Sequence, residues 1–125
     1  MRFLLDTHTL LWWLGDPDRL SADARVAIRD GSNDVFVSAV SAWEIAIKKR
    51  VGRLEAPDDL ETQIDKNRFM PLPIGFSHAL AIEHLPGIHR DPFDRLLVVQ
   101  ARLETLTIVT RDDIIPKYGV SVLMA

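Results

Sequence analysis

The 125-residue chain contains no cysteine. That absence excludes a disulfide scaffold, an iron–sulfur cluster and a thiolate zinc site, and it suits a cytoplasmic setting. A long apolar run is missing too. The uncharged stretch from Thr7 to Gly15 is flanked by Asp6 and Asp16 and is too short to cross a bilayer, so neither a membrane span nor a signal sequence is expected. There is no excess of positive charge: the formal net charge is −3, so any contact with nucleic acid has to come from a local patch. What is present is an ordinary globular composition, 47% hydrophobic and 26% charged. It rules out a disordered tail, a collagen-like fibre and a coiled coil. The length suits one domain over residues 1–125 with a core of its own, and no repeat or low-complexity linker divides it.

Strand and helix patterns alternate along the whole chain. The apolar run at 2–5 reads as a buried strand ending at Asp6. Thr7 or Thr9 is placed to cap a short helix through Leu14, stopped by Gly15 and the turn at 16–18. Ser21 opens a second helix to about Arg29, and the β-rich 35–37 is the second strand. Helices follow over 39–51 and from Pro57-Asp58 to about Arg68. The segment 70–74, with two prolines, suits an edge strand. Residues 76–85 read as helical and 86–91 as a loop. Asp91 is positioned as the cap, and Pro92 as the first residue, of a helix through Glu104. Strands over 106–109 and 120–123 complete the pattern. The alternation predicts an α/β fold, a three-layer α/β/α sandwich around a mainly parallel sheet. In such sheets chemistry sits beyond the carboxyl ends of the strands.

Four acids fall at that edge. Asp6 directly follows the first strand, and Asp112 follows the strand at 106–109 behind Thr110-Arg111. Either alone reads as an ordinary cap. Glu44 is more telling. At about 100° per residue from Val40 it lies at about 40°, within a stripe set by Trp43, Ile47 and Val51. A surface pair with Lys48 does not explain an acid on a buried face. Asp94 likewise falls between Leu97, Val98 and Ala101 in the last long helix. Two bare carboxylates about 4 Å apart repel by about 4 kcal/mol at an effective dielectric of about 20. Acids gathered at one edge therefore call for a cation. Oxygen ligands without cysteine or a zinc-spaced histidine pair select Mg²⁺ or Mn²⁺. The chemistry that follows is metal-assisted phosphodiester hydrolysis, with Asp6, Glu44, Asp94 and Asp112 as catalytic and metal-ligating residues.

Basic residues frame the same edge. Lys49 and Arg50 suit the end of their helix, where the dipole favours cations. Arg95 and Arg111 are the expected contacts to a nucleic-acid backbone, with Thr7 and Thr110 beside the acids as further substrate contacts. His8 is close enough to touch the site but is assigned no catalytic part. Trp12 and Trp13 are available to stack a base, whereas Trp43 is expected in the core.

The motifs Asp6-Thr7-His8, Ser38-Ala39-Val40-Ser41-Ala42-Trp43-Glu44-Ile45, His89-Arg90-Asp91-Pro92-Phe93-Asp94-Arg95 and Thr110-Arg111-Asp112 resemble, in order and spacing, a PIN-domain ribonuclease of the VapC toxin type. The resemblance covers essentially the whole chain. It implies a parallel-sheet α/β/α sandwich, Mg²⁺- or Mn²⁺-dependent cleavage of single-stranded or structured RNA, a homodimer, and a small antitoxin protein as partner. The family's acidic positions fall on Asp6, Glu44, Asp94 and Asp112, with Asp113 adjacent to the last. Two other acid-cluster enzymes fit less well. A haloacid-dehalogenase-like phosphatase needs an Asp where His8 stands, and a receiver domain needs a Lys after a late strand where Thr110-Arg111-Asp112 has none. A non-catalytic RNA- or protein-binding module on the same scaffold is the remaining alternative.

Overall fold

The computed structural model describes residues 1–125. Five strands form one sheet in the order β3-β2-β1-β4-β5, every neighbouring pair parallel. β1 spans Arg2–Leu5, β2 Asp34–Ser38, β3 Met70–Leu72, β4 Thr107–Thr110 and β5 Val122–Met124. Side chains alternate across the sheet with a period of two. Phe3 and Leu5 of β1 enter one apolar cluster and Leu4 enters the other. Burial on both faces explains why this strand reads as an unbroken apolar run.

One face is covered by α1 (Thr7–Gly15), α2 (Ala22–Arg29) and α4 (Leu60–Lys66), which bring Leu10, Ala24, Ile28 and Ile64 against Phe3, Leu5 and Val37. The other face is covered by α5 (Phe76–Ala81) and α6 (Pro92–Glu104). Here Leu97, Val98 and Ala101 of α6 pack with Leu4, Leu72 and Ile108. The helix α3 (Ala39–Arg50) joins the layers, with Val40 in one cluster and Ile45 in the other. The expected three-layer sandwich follows, and the proline-bearing β3 is an edge strand as expected.

The local differences have identifiable causes. The cap of α1 is Asp6, not Thr7 or Thr9, because the Asp6 carboxylate accepts from the backbone N–H of Thr9. The helix expected from Pro57-Asp58 starts only at Leu60. Lys49 holds the Pro57 carbonyl and the Asp58 carboxylate at the end of α3, so this segment is drawn aside. The helix at 76–85 ends at Ala81 and finishes as a 3₁₀ turn, Ile82–His84. The last strand starts at Val122, after a 3₁₀ turn, Ile115–Tyr118, that Gly119 closes at φ 75°, a conformation glycine adopts without strain.

The chain builds outward from β1 to β3 on one side and then returns to β4 and β5 on the other. The reversal lies between β1 and β4, where the Asp6 N–H bonds the Val109 carbonyl at 3.2 Å. A crevice at the carboxyl ends of strands belongs at such a switch point.

Candidate active site

Asp6 sits at the end of β1. Its Oδ1 accepts from Thr9 N at 2.9 Å and its Oδ2 from Thr110 Oγ1 at 2.5 Å. Thr110 ends β4, so the second bond ties together the ends of the two central strands. Burial pushes the Asp6 carboxyl above its ordinary range in spite of these bonds.

Glu44 lies in the second turn of α3 and is only 4% exposed. Its Oε1 accepts from Thr7 Oγ1 at 2.6 Å and its Oε2 from Lys48 Nζ at 2.5 Å. The bond to Glu44 raises the Lys48 ammonium above its ordinary range. The apolar stripe expected to bury Glu44 faces the other way: Trp43, Ile47 and Val51 are 53%, 43% and 63% exposed. The inward face is Val40, Ser41, Glu44 and Ile45. Glu44 is buried because around the helix it falls between Val40 and Ser41, in the half of α3 nearest β2, whereas Ile47 and Val51 lie toward the exposed C-terminal end. Trp43 is thus outside the core and packs edge-on against Phe93, ring centroids 5.1 Å apart.

Asp94 stands in the first turn of α6. The cap of that helix is Asp91, whose Oδ1 accepts from Phe93 N at 2.8 Å and Asp94 N at 3.1 Å. Asp94 is therefore spared the capping task. Its carboxyl is pushed up to about 7, first by burial and then by the charges of Asp91 and Asp6. Asp112 caps the turn after β4, with Oδ1 accepting from Ile114 N at 2.7 Å and Ile115 N at 3.2 Å. Its Oδ2 accepts from His89 Nε2 at 2.8 Å. Burial raises the Asp112 carboxyl, but the bonds from His89 and the two amides outweigh it and hold it below the ordinary range.

Asp6, Glu44, Asp94 and Asp112 converge, together with Asp91, on one cavity of about 320 Å³. The expected substrate contacts divide. Thr7 and Thr110 are buried, and their hydroxyls bond Glu44 and Asp6; Thr7 lines the cavity and Thr110 does not. Arg95 turns away: its guanidinium donates to the carbonyls of Leu85, Pro86 and His89 and to the Tyr118 hydroxyl. It clasps the loop before α6 because those carbonyls have no regular element to pair with. Arg111 lines the cavity, tied to the Arg19 and Ala125 carbonyls with its guanidinium 4.4 Å from the centroid of the Trp12 ring.

Lys48, Asp91 and His89 also line the cavity, and the sequence motifs assign none of them a part in it. The i,i+4 spacing of Lys48 from Glu44 was the signal for the first. The other two enter through the non-helical loop before α6, whose path no periodicity describes.

The donor set is tested by its own chemistry. Oxygens of Asp94 and Asp112 lie within 4.8 Å of each other, with a ring nitrogen of His89 beside both. The other donors lining the cavity are carboxylate oxygens, those of Asp6, Glu44 and Asp91, against the two cationic side chains Lys48 and Arg111. Such a set fits a hard divalent cation.

Known proteins share this arrangement of the chain. Ribonuclease VapC22 of Mycobacterium tuberculosis is 28% identical over 115 residues, covering 87% of this chain and 85% of that protein. Ribonuclease VapC16 of the same organism is 37% identical over 67 residues, covering 49% and 48%. A chain in the crystal structure of VapBC2 from Rickettsia felis, bound to a DNA fragment from their promoter, matches 99% of this chain and 98% of its own length with a TM-score of 0.73. At 15% identity that likeness is one of fold. No helix of the chain is long and apolar enough to cross a membrane. The PIN domain model matches residues 3–120, from β1 through the last carboxylate of the cavity to the approach of β5, and the chain therefore belongs to the PIN-domain family.

Proposed function

We propose that this chain, acting as one domain over residues 1–125, is an endoribonuclease that hydrolyses phosphodiester bonds in RNA with Mg²⁺ or Mn²⁺. In this reading it is the cytoplasmic toxin of a toxin–antitoxin pair, working as a homodimer and restrained by a small antitoxin protein. One observation carries the chemistry: carboxylates from the ends of β1 and β4 and from α3 and α6 converge on one cavity, where burial first and the charges of Asp91 and Asp6 second push Asp94 up to about 7. The VapC relatives, named as ribonucleases, support RNA as the substrate. The VapBC2 likeness supports a paired protein partner.

Asp6, Glu44, Asp94 and Asp112 would hold the cation, which when bound neutralises charge on a phosphoryl oxygen and raises the acidity of water. The chain's own residues prepare the site. Thr7 and Lys48 fix the two oxygens of Glu44, and Thr9 and Thr110 fix those of Asp6. Preset ligands cost no reorganisation when substrate arrives. Lys48 and Arg111 place positive charge on a cavity wall that would otherwise repel a phosphodiester.

The test is cleavage of a labelled RNA pool by the purified chain, free of antitoxin, with Mg²⁺, with Mn²⁺ and with EDTA. Cleavage with either metal and none in EDTA is expected. Glu44→Gln keeps the shape and removes a charge, and cleavage should fall by at least the roughly 10–100-fold typical of losing a group behind a ligand, with unchanged circular dichroism. RNA binding without cleavage under all conditions points to the non-catalytic module. A Glu44→Gln variant that cleaves at the wild-type rate leaves Glu44 as a partner of Lys48 only.

A further inference from the structure

His89 reaches the cavity from the loop between α5 and α6, and the ligand set proposed above gives it no task. We propose that His89 is a positioning residue: it fixes the Asp112 carboxylate by donating its Nε2 hydrogen to it, and keeps the same ring edge against Asp94. The proposal rests on the metal-dependent nuclease reading of the cavity.

The roles of the two ring nitrogens follow from their neighbours. Nδ1 lies 3.1 Å from the backbone N of Asp91, which can only donate. Nδ1 is therefore the acceptor. A neutral imidazole has one donor and one acceptor nitrogen, so the hydrogen is on Nε2. That nitrogen donates to Asp112 Oδ2 at 2.8 Å and lies 3.1 Å from Asp94 Oδ2. Asp94 comes from the first turn of α6 and Asp112 from the loop after β4, and His89 touches both.

The rest of the residue is held as firmly. Its backbone N–H donates to the Tyr118 hydroxyl at 2.7 Å, and its carbonyl lies 3.4 Å from Nη1 of Arg95. The side chain is 10% exposed. With the backbone and Nδ1 fixed from behind, the donor edge of the ring is what meets the carboxylates.

Direct ligation by His89 conflicts with this geometry. A lone pair on Nε2 requires the hydrogen on Nδ1, where it would point at the Asp91 N–H. The carboxylates are then the ligands, with His89 the fixed donor to Asp112 and the neighbour of Asp94. Groups of this kind behind a ligand are typically worth about 10–100-fold in metal affinity or activity.

Two variants of the full chain separate the roles. His89→Gln keeps an N–H donor at similar reach, and His89→Leu removes it. Mn²⁺ affinity is read by electron paramagnetic resonance without RNA, and the ring nitrogens of the wild type by ¹⁵N NMR in EDTA and in Mg²⁺. The expected results are hydrogen on Nε2 and a bare Nδ1 under both conditions, a loss of Mn²⁺ affinity of about 10–100-fold in His89→Leu, and affinity within about threefold of wild type in His89→Gln. Loss of the Nε2 hydrogen on adding Mg²⁺ overturns the proposal in favour of direct ligation. Equal Mn²⁺ affinity in wild type and His89→Leu, or equal loss in both variants, overturns it as well. Should His89→Leu fail to fold, the ring spectra and His89→Asn, whose amide is too short to reach, decide in its place. If the wild type cleaves no RNA with either metal, the nuclease reading fails, while the ring spectra and Mn²⁺ affinities still judge His89.

Discussion

The carboxylates of Asp6, Glu44 and Asp112 are held by side chains whose chemical types the sequence displays but whose aim it does not. Thr110 had the right place beside Asp112, yet its hydroxyl is spent on Asp6, 104 positions away in the chain. Thr7 is likewise committed to Glu44. Arg95 shows the same limit. Its charge and its place next to Asp94 suggested a phosphate contact, whereas the structure gives its donors to loop carbonyls and to Tyr118. Removing a charged donor from such carbonyls costs about 1–3 kcal/mol. Arg95→Ala should therefore lower stability by about that amount in denaturant melts. The salt dependence of RNA binding should stay as in wild type, because no phosphate contact is lost. A slope flattened by about one phosphate would return Arg95 to the substrate-binding role. The four acids themselves were legible because charge at the end of an apolar strand, or on the inward side of a helix, has few ordinary explanations. His89 and Asp91 were not, since their roles depend on where an irregular loop turns.

At the scale of elements, α3 is the instructive case. Trp43, Ile47 and the C-cap Val51 face outward, while polar Ser41 and Glu44 share the inward face with Val40 and Ile45. A helix that joins two layers beside a polar cavity does not obey the single-stripe rule for a helix lying on a core. The strands and α6 do obey their rules. β1 is an apolar run buried on both sides, and α6 begins with an aspartate cap and a proline. The exposed stripe on α3 is an apolar patch of the kind that marks an interaction surface, and a second copy of the chain is the occupant that fits the proposed homodimer. Ile47→Glu should convert the dimer to a monomer by light scattering. The melting temperature of the monomer should shift little at low concentration, because exposed substitutions usually stay within about 0.5 kcal/mol. A dimer that survives Ile47→Glu would move the contact elsewhere, for instance to Phe76 and Leu80 of α5, which are 88% and 68% exposed.

For the molecule as a whole, the cavity couples stability to both pH and metal. The Asp94 carboxyl titrates at about 7 in the folded chain against an ordinary value of 3.8. Between those values the folded state binds more protons than the unfolded state, so metal-free stability falls as pH rises from about 4 to about 7 and is level above that. The span sets an upper bound of roughly 4 kcal/mol. Asp6, raised by burial, acts in the same direction. Asp112 is held below its ordinary range and acts oppositely, its contribution being lost as pH falls through its folded value. A divalent cation that binds only the folded state restores stability by mass action, about 2.7 kcal/mol at a hundredfold excess over its dissociation constant. Asp94→Asn removes one of the crowded charges at nearly constant volume, and Asp91 keeps the cap of α6 intact. The variant should therefore melt higher than wild type in EDTA near pH 7.5, lose most of the pH dependence between 4 and 7, and gain less from Mg²⁺. If Asp94 serves only the helix dipole, the sign in EDTA reverses: a favourable interaction of about 0.3–1 kcal/mol is lost and the variant melts lower. Melts of both proteins at pH 5 and 7.5, with EDTA and with Mg²⁺, distinguish the two. A destabilised Asp94→Asn that keeps the full Mg²⁺ gain would take Asp94 out of the metal site.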